Sequence, residues 1–326
     1  MKIYDVAFLG MGASALATAK LKYKGTSISL IGIDKNYHSK RNNFFAFWLT
    51  DWMKDFDSLA QKKWFCWNFY LTNNHIKHET KDLPYCTIRY QDWKNYCLKG
   101  LENLSIKEFN VQSITNLKKY YEIKLENGEE IFAKKIYDSR TPKLENEKVK
   151  QHFFGYLIET KQMINSNSVT LMDFRVEQKM GLHFMYCLPI DENRMLVEST
   201  VFSSEIQEDA WYQKQILEYI ETKLNLSEYK IVDEEKGALP MYDIENKSSE
   251  NYINIGSRGG ATKISTGYAF SFFLKNIMLN FENINKAHHS YFDKWMDKVF
   301  VNYLKNNSGT EKVFINMAYS LNGNEF

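Results

Sequence analysis

Glu198 lies in the run Leu196-Val197-Glu198-Ser199-Thr200, which carries no other charge. A carboxylate among apolar neighbours loses hydration, which disfavours its ionised form and raises its pKa. A carboxyl that stays protonated near neutral pH is a general acid. Asp173 and Arg175 stand two apart in Met172-Asp173-Phe174-Arg175. On a strand they share a face, either as a structural ion pair or as a catalytic-site pair that lines a pocket and positions a bound cofactor or the acid. A third group binds rather than reacts. Asp5-Val6-Ala7-Phe8-Leu9 leads into Gly10-Met11-Gly12-Ala13-Ser14-Ala15, then a helical run, then Ser27–Ile33 and Asp34. This is the dinucleotide fingerprint G-x-G-x-x-G/A, with Ala15 in the third place. Gly10 permits the sharp exit from the strand, and Gly12 lets a pyrophosphate approach the backbone. Ala15 keeps helix and strand close. The amides of Ala13, Ser14 and Ala15 open a helix whose positive end suits phosphate. Asp34, about 20 residues on, is placed to accept hydrogen bonds from a ribose. The alternative is an ordinary strand–helix turn that needs two glycines. A second loop, Gly256–Gly267, includes Gly259, Gly260 and Thr262 and also allows close backbone approach.

These groups need scaffolding. The N-terminal stretch reads as strand, turn, helix and strand. Leu182–Pro189 and Arg194–Phe202 flank the turn Ile190-Asp191-Glu192-Asn193 and read as a hairpin. Pairing across that turn sets Glu198 opposite Met185 and Leu196 opposite Cys187. Alternation then places His183, Met185, Cys187, Leu196, Glu198 and Thr200 on one face. The other reading of Glu198 is a sheet-edge carboxylate paired with Arg194 or a lysine. Residues 106–138 read as an antiparallel meander around Asn127-Gly128. Phe153–Glu159 and Val169–Val176 read as strands, 206–225 as a helix, and Tyr252–Ile255 as a strand before the second glycine loop. Tyr268–Phe281 and the stretch from Ile284 to about Leu304 read as helices.

A Rossmann-like start interrupted by antiparallel blocks implies a mixed α/β and α+β chain. The expected division is a discontinuous nucleotide-binding domain of residues 1–70, 85–142 and 250–285. A β-rich substrate domain would take 71–84 and 143–249, and 286–326 would form a C-terminal helical segment. The aromatic run Phe44–Trp52 has three readings: core, pocket wall or membrane contact.

Composition narrows the classes. The 326 residues carry 42 basic and 40 acidic side chains, a net charge of +2 that gives no reason to expect a nucleic-acid partner. The cysteines Cys66, Cys86, Cys97 and Cys187 form no C-x-x-C pair, and no Cys/His cluster has zinc spacing, so no metal is expected. His75 and His78 lack a suitable partner, and the adjacent His288 and His289 cannot share a helix face. With no signal peptide and no run of ~20 apolar residues, the expected location is the cytoplasm, with or without attachment to a membrane.

Three stretches together resemble the FAD-dependent lycopene cyclase family. They are the N-terminal fingerprint followed by Phe47-Trp48, and Leu171–Arg175 continuing through Phe184–Pro189 into Leu196–Thr200. The third is Ile255–Tyr268, which ends Ser265-Thr266-Gly267-Tyr268. The likeness covers roughly residues 4–280. It implies a glutathione-reductase-type FAD-binding fold with an antiparallel β-rich substrate domain. It also implies cyclisation of a carotenoid ψ-end without net redox change. The flavin would act reduced, with NAD(P)H as the electron donor that keeps it so. The family's catalytic glutamate falls on Glu198, which favours the acid reading over the sheet-edge one. Ser199 stands where many members carry a second acid, and Ile264 where a proline is common. The partner implied is a lipophilic polyene. Two rivals remain open: a redox flavoenzyme on another lipophilic molecule, and a non-catalytic lipid or flavin binder. Gly256-Ser257, in place of Gly-Asp, speaks against the first.

Overall fold

The structure is a computed structural model that describes residues 2–39, 41, 43–279 and 287–321. The chain begins with β1 (Ile3–Leu9), α1 (Ala13–Tyr23) and β2 (Leu30–Ile33). β3 (Phe44–Trp48), a 3₁₀ helix (Asp51–Leu59), β4 (Lys62–Trp64), β5 (Cys66–Leu71) and β6 (Asn74–Glu79) follow. β7 (Tyr85–Arg89) enters α2 (Tyr90–Leu98) and then β8 (Leu104–Lys107). Next are β9 (Val111–Asn116), β10 (Tyr121–Leu125) and β11 (Glu130–Asp138). The long strands β12 (Lys150–Thr160), β13 (Val169–Asp173), β14 (Leu182–Pro189) and β15 (Arg194–Ser203) precede α3 (Asp209–Thr222) and β16 (Tyr229–Pro240). β17 (Tyr252–Asn254), a 3₁₀ turn (Gly256–Gly259), α4 (Phe270–Leu279), α5 (Tyr291–Asn306) and α6 (Glu311–Ser320) complete it.

Two compact units emerge. The first takes residues 1–41, 90–143 and 243–295, and the second 42–89, 144–242 and 296–326. Segment 42–89 thus clusters with the β-rich unit, whereas most of it was expected beside the fingerprint. The reason is pairing: β3 and β4 both bond to β7, and β5 bonds to β13.

In the first unit the sheet order is β8-β2-β1-β11-β10-β9, with β17 beside β11. β1 pairs in parallel with β2 and β11, which is the Rossmann arrangement, while β9–β11 form the antiparallel meander. β2 is buried throughout its four residues, as a central parallel strand must be. In the second unit the order is β16-β12-β15-β14-β13-β5-β6. One face of this sheet packs on α3, where Met185, Cys187, Val197 and Val201 meet Tyr212, Ile216 and Tyr219.

The hairpin register differs from the expected one. Ile190 N–H donates to Arg194 O, so the loop holds three residues, not four. Asp191 Oδ1 closes it by accepting from the Asn193 and Arg194 amides. Pairing therefore slips by one: Glu198 faces Tyr186, and Leu196 faces Leu188. A one-residue slip turns every side chain to the other face. His183, Met185 and Cys187 go to the α3 side, and Glu198 shares the opposite face with Tyr186, Leu196 and Thr200.

Smaller differences are local. β13 ends at Asp173, not Val176, and α4 begins at Phe270, not Tyr268. The end of that helix as expected, 280–281, and the first residues of the next, 284–286, lie outside the described residues. The strand β16 has no counterpart in the expectation. Of the Phe44–Trp52 aromatics, Phe47 is buried and Phe44, Phe45, Trp48 and Trp52 are half-buried, so none forms an exposed patch.

Candidate functional site

The first unit holds the nucleotide cradle. Gly10 has a φ of +78°, in the left-handed region that favours glycine, and a Cβ there would press on Ser139 and Arg140. Gly12 is the N-cap of α1 with ordinary extended backbone. A Cβ built at Gly12 meets nothing within 4 Å, so open space faces it. The first α1 amide bonded within the helix is Leu16, to Gly12 O, which leaves the amides of Ala13, Ser14 and Ala15 at the helix mouth. Side chains of α2 anchor this turn from behind: Tyr90 Oη donates to Met11 O and Trp93 Nε1 to Ala13 O.

Asp34 closes the other end. Its Oδ2 accepts from Met11 N at 2.8 Å, and Oδ1 from Asn36 N and Arg41 Nη2, each at 2.8 Å. Burial works to raise this carboxyl, but the two amides and Arg41 outweigh it and hold it below the usual carboxylate range. A carboxylate has about four acceptor positions, and the described residues take three of them, a pattern that suits a ribose hydroxyl at the fourth.

The late glycine loop belongs to the same unit and meets the fingerprint. Gly256, at φ +61°, abuts the Ser14 side chain. Gly259 lies so close to Asn254 O that a Cβ would stand 2.5 Å from it. Gly260, at φ +82°, has open space where a Cβ would be, and Gly267 is at φ +75°. Thr262 Oγ1 donates to Ser257 Oγ at 3.0 Å, and Arg258 Nε to Arg140 O. An open glycine at a helix mouth, free amides and an ionised carboxylate suit a dinucleotide.

The second unit holds the acid. Glu198 is 7 % exposed and lies on β15, which has neighbours on both sides. It is therefore no sheet-edge carboxylate, and Arg194 pairs with Asp191 instead. Burial, then the negative field of Glu235, push the Glu198 carboxyl well above its ordinary value, against a hydrogen bond from Thr200. Thr200 Oγ1 donates to Glu198 Oε1 at 2.5 Å. Aromatic groups extend from the same face. Tyr186, opposite Glu198, shares a 2.7 Å hydroxyl–hydroxyl bond with Tyr85, whose ring lies 4.7 Å from Trp48.

Glu235, on β16, was not singled out from the sequence. It stands in Asp233-Glu234-Glu235-Lys236, a charged run that reads as solvated surface. Yet burial raises its carboxyl to about 7, the Phe44 amide donates to Oε2 at 3.3 Å, and only Gly155 of β12 separates it from Glu198 in the sheet. Apolar surroundings do not reveal it in the sequence, because the pairing is with residues far along the chain.

Asp173 and Arg175 are not brought to Glu198. Asp173, fully buried, pairs with Met185 on the α3 side of the sheet. Arg175 holds it through Nε at 2.9 Å and Nη2 at 2.6 Å, and Tyr219 Oη donates at 2.7 Å. The pair anchors α3 to the sheet. Ser199 also faces α3, where its hydroxyl meets His183 Nε2 at 2.8 Å. Burial draws that imidazole down to about 4, so it is neutral. A second acid at 199 would thus not have stood beside Glu198. Among the described residues no His, Cys, Asp and Glu group could hold a metal.

Comparison with known proteins gives the following relatives. A 23% identical relative, chloroplastic neoxanthin synthase of Solanum tuberosum, aligns over 298 residues, 81% of this chain and 57% of its own. The chain thus spans little more than half of that protein's length. A geranylgeranyl bacteriochlorophyll reductase-like protein of Thermoplasma acidophilum superposes with a TM-score of 0.67 at 11% identity, covering 99% of this chain and 89% of that one. The p-nitrophenol 4-monooxygenase of Pseudomonas putida gives 0.66 at 12%, with 99% and 94% covered. A flavin-dependent brominase gives 0.60 at 13%, with 98% and 90% covered. At such identities these structures share the fold alone, a mixed α/β fold common to flavin-dependent enzymes. The model of the family described as lycopene cyclase protein matches residues 5–297, and the chain belongs to that family.

Proposed function

We propose that this protein is an FAD-dependent carotenoid cyclase that closes the ψ-end of a linear polyene into a ring by proton transfer. The observation that carries this reading is Glu198, a carboxyl buried on an inner strand where burial and a neighbouring acid raise its proton affinity, in a chain of this family. An isolated alkene offers no lone pair, so its proton must come directly from an acid to carbon. Glu198 is that acid: its O–H bond breaks as the C–H bond forms. The tertiary cation then needs electron density and little water. Tyr186, Tyr85 and Trp48 supply aromatic faces on the Glu198 side, each of a kind worth about 0.5–2 kcal/mol to a cation. Ring closure ends with loss of a proton from carbon to a carboxylate.

Gly12, the amides of Ala13, Ser14 and Ala15, Asp34, Gly260, Thr262 and Gly267 would hold FAD. Bound in its reduced form, the flavin supplies an electron-rich group that stabilises positive charge, with NAD(P)H keeping it reduced.

A second reading is a redox flavoenzyme on another lipophilic substrate, favoured by the monooxygenase and brominase among the structural neighbours. The two differ in electron balance. Expressed in cells that accumulate lycopene, the protein should convert the pigment to a ringed isomer. Purified, it should consume NAD(P)H without proportion to product. NAD(P)H consumed one-for-one with an oxygenated or desaturated product would favour the redox enzyme.

Polyenes reside in bilayers, so we infer contact with a membrane surface. No helix among the described residues is long and apolar enough to cross one. α5 exposes Tyr291 (87%), Phe292 (66%) and Trp295 (51%). Wild type should float with liposomes, and Phe292→Ser with Trp295→Ser should weaken that binding about tenfold, in keeping with the apolar area lost. Wild type that stays with the unbound fraction contradicts the contact.

A further inference from the structure

Two glutamates on non-adjacent strands meet across a single glycine. Gly155 of β12 pairs with Glu198 of β15 on one side and with Glu235 of β16 on the other. The three residues form one row across the sheet, so their side-chain positions lie on one face. Two strand spacings separate the glutamate backbones by roughly 10 Å. Their side chains span that gap only where the middle residue has none. A Cβ at Gly155 would lie 3.3 Å from both Glu198 Cβ and Leu196 Cδ1 and 3.4 Å from Glu198 Cγ, tight against the Glu198 side chain. Gly155 has no left-handed φ, so backbone conformation does not call for glycine here. The cleared notch does.

The two carboxyls are neighbours over this notch, and each shifts the other's proton affinity. The other groups that face them are the Thr200 hydroxyl on Glu198, the Phe44 amide and Asn43 side chain on Glu235, and the Asp233 carboxylate nearby. Tyr186 stands opposite Glu198. Among the described residues neither carboxyl has an ion pair with lysine, arginine or histidine. Two neighbouring carboxylates repel, so such a pair favours keeping one proton between them.

We propose that Glu198 and Glu235 act as one two-carboxyl unit over Gly155, with Glu235 the positioning residue that keeps the transferable proton on Glu198. This rests on the cyclase reading for its substrate, but not for its existence. In a turnover the Glu198 O–H bond breaks as a C–H bond forms on the alkene. The unit is then doubly ionised beside a carbocation. Ring closure breaks a C–H bond next to the final cation, its electron pair forms the new ring double bond, and its proton returns to the unit. No oxidant or reductant is consumed.

The test is infrared titration of the purified full chain, following the C=O stretch of protonated carboxyls. Wild type should retain such a band at pH 7, part of it from Glu235, and Glu198→Gln should remove the part that persists to higher pH. In Glu235→Gln the Glu198 band should disappear at least ~1 pH unit lower, a tenfold loss of proton affinity. Glu235→Asp withdraws the partner by one methylene and should shift it the same way, less far. It also keeps the question open to measurement if the Gln variant folds poorly. The alkaline limb of the rate profile should move down in pH with the band, which a structural role would not cause. A wild type lacking the band at pH 7, or an unchanged Glu198 titration in both Glu235 variants, overturns the unit. A normal band and shift in a protein that forms no ring would support the unit and count against the cyclase reading alone.

Discussion

Glu198→Gln should cut ring formation at least ~10²-fold, the low end for loss of a general acid, while the protein stays folded and binds flavin. The amide keeps the shape, and its NH₂ can still hydrogen-bond Glu235, but it has no proton to give to carbon. Glu198→Asp should retain part of the activity. Stability gives an independent reading. The folded-state carboxyls are raised, Glu235 from 4.5 to about 7 and Glu198 in the same direction. Between these pH values the native protein holds protons that the unfolded chain releases. Its unfolding free energy must therefore fall as pH rises through that window. Glu198→Gln should flatten this slope, as measured by urea unfolding at pH 5 and pH 7. Loss of activity in proportion to loss of stability, with the slope intact, would mean that Glu198 is structural.

Gly12→Val should abolish flavin binding without unfolding the chain. Its backbone is ordinary extended conformation, and open space lies around the position, so the side chain has room in the protein. That same space is what a pyrophosphate needs. FAD affinity should drop by at least about 100-fold, or about 2.8 kcal/mol, measured by titration of the apoprotein. Gly10→Val and Gly256→Val differ in kind. Both positions have positive φ and packed neighbours, so these variants should lose stability as well. Wild-type affinity in a folded Gly12→Val protein would remove the cradle from the account.

The fingerprint was legible because its logic is local: strand, tight turn, helix and acid follow within one stretch of chain. The late glycine loop was legible for the same reason, though its contact with Ser14 was not. For Glu198 the burial was legible but the surroundings were not. The hairpin loop holds three residues because Asp191 caps it, and one residue of slip exchanges Met185 and Cys187 for Tyr186. Burial survived the slip, since β15 is covered on both faces. Asp173 and Arg175 follow the same parity and lie beneath α3, away from the acid. Glu235 could not be read at all. Its partner Gly155 lies far along the chain, and an acidic run betrays nothing of a neighbour two strands away.

A single turnover on lycopene in D₂O, with the flavin reduced beforehand and air excluded, tests proton transfer from Glu198 most directly. Proton transfer from an equilibrated carboxyl predicts a ringed product isomeric with the substrate except for deuterium at the carbon that receives the proton. Glu198→Gln should give none. A product of altered oxidation state, or a ring without deuterium, would contradict the claim that Glu198 drives the reaction as an acid.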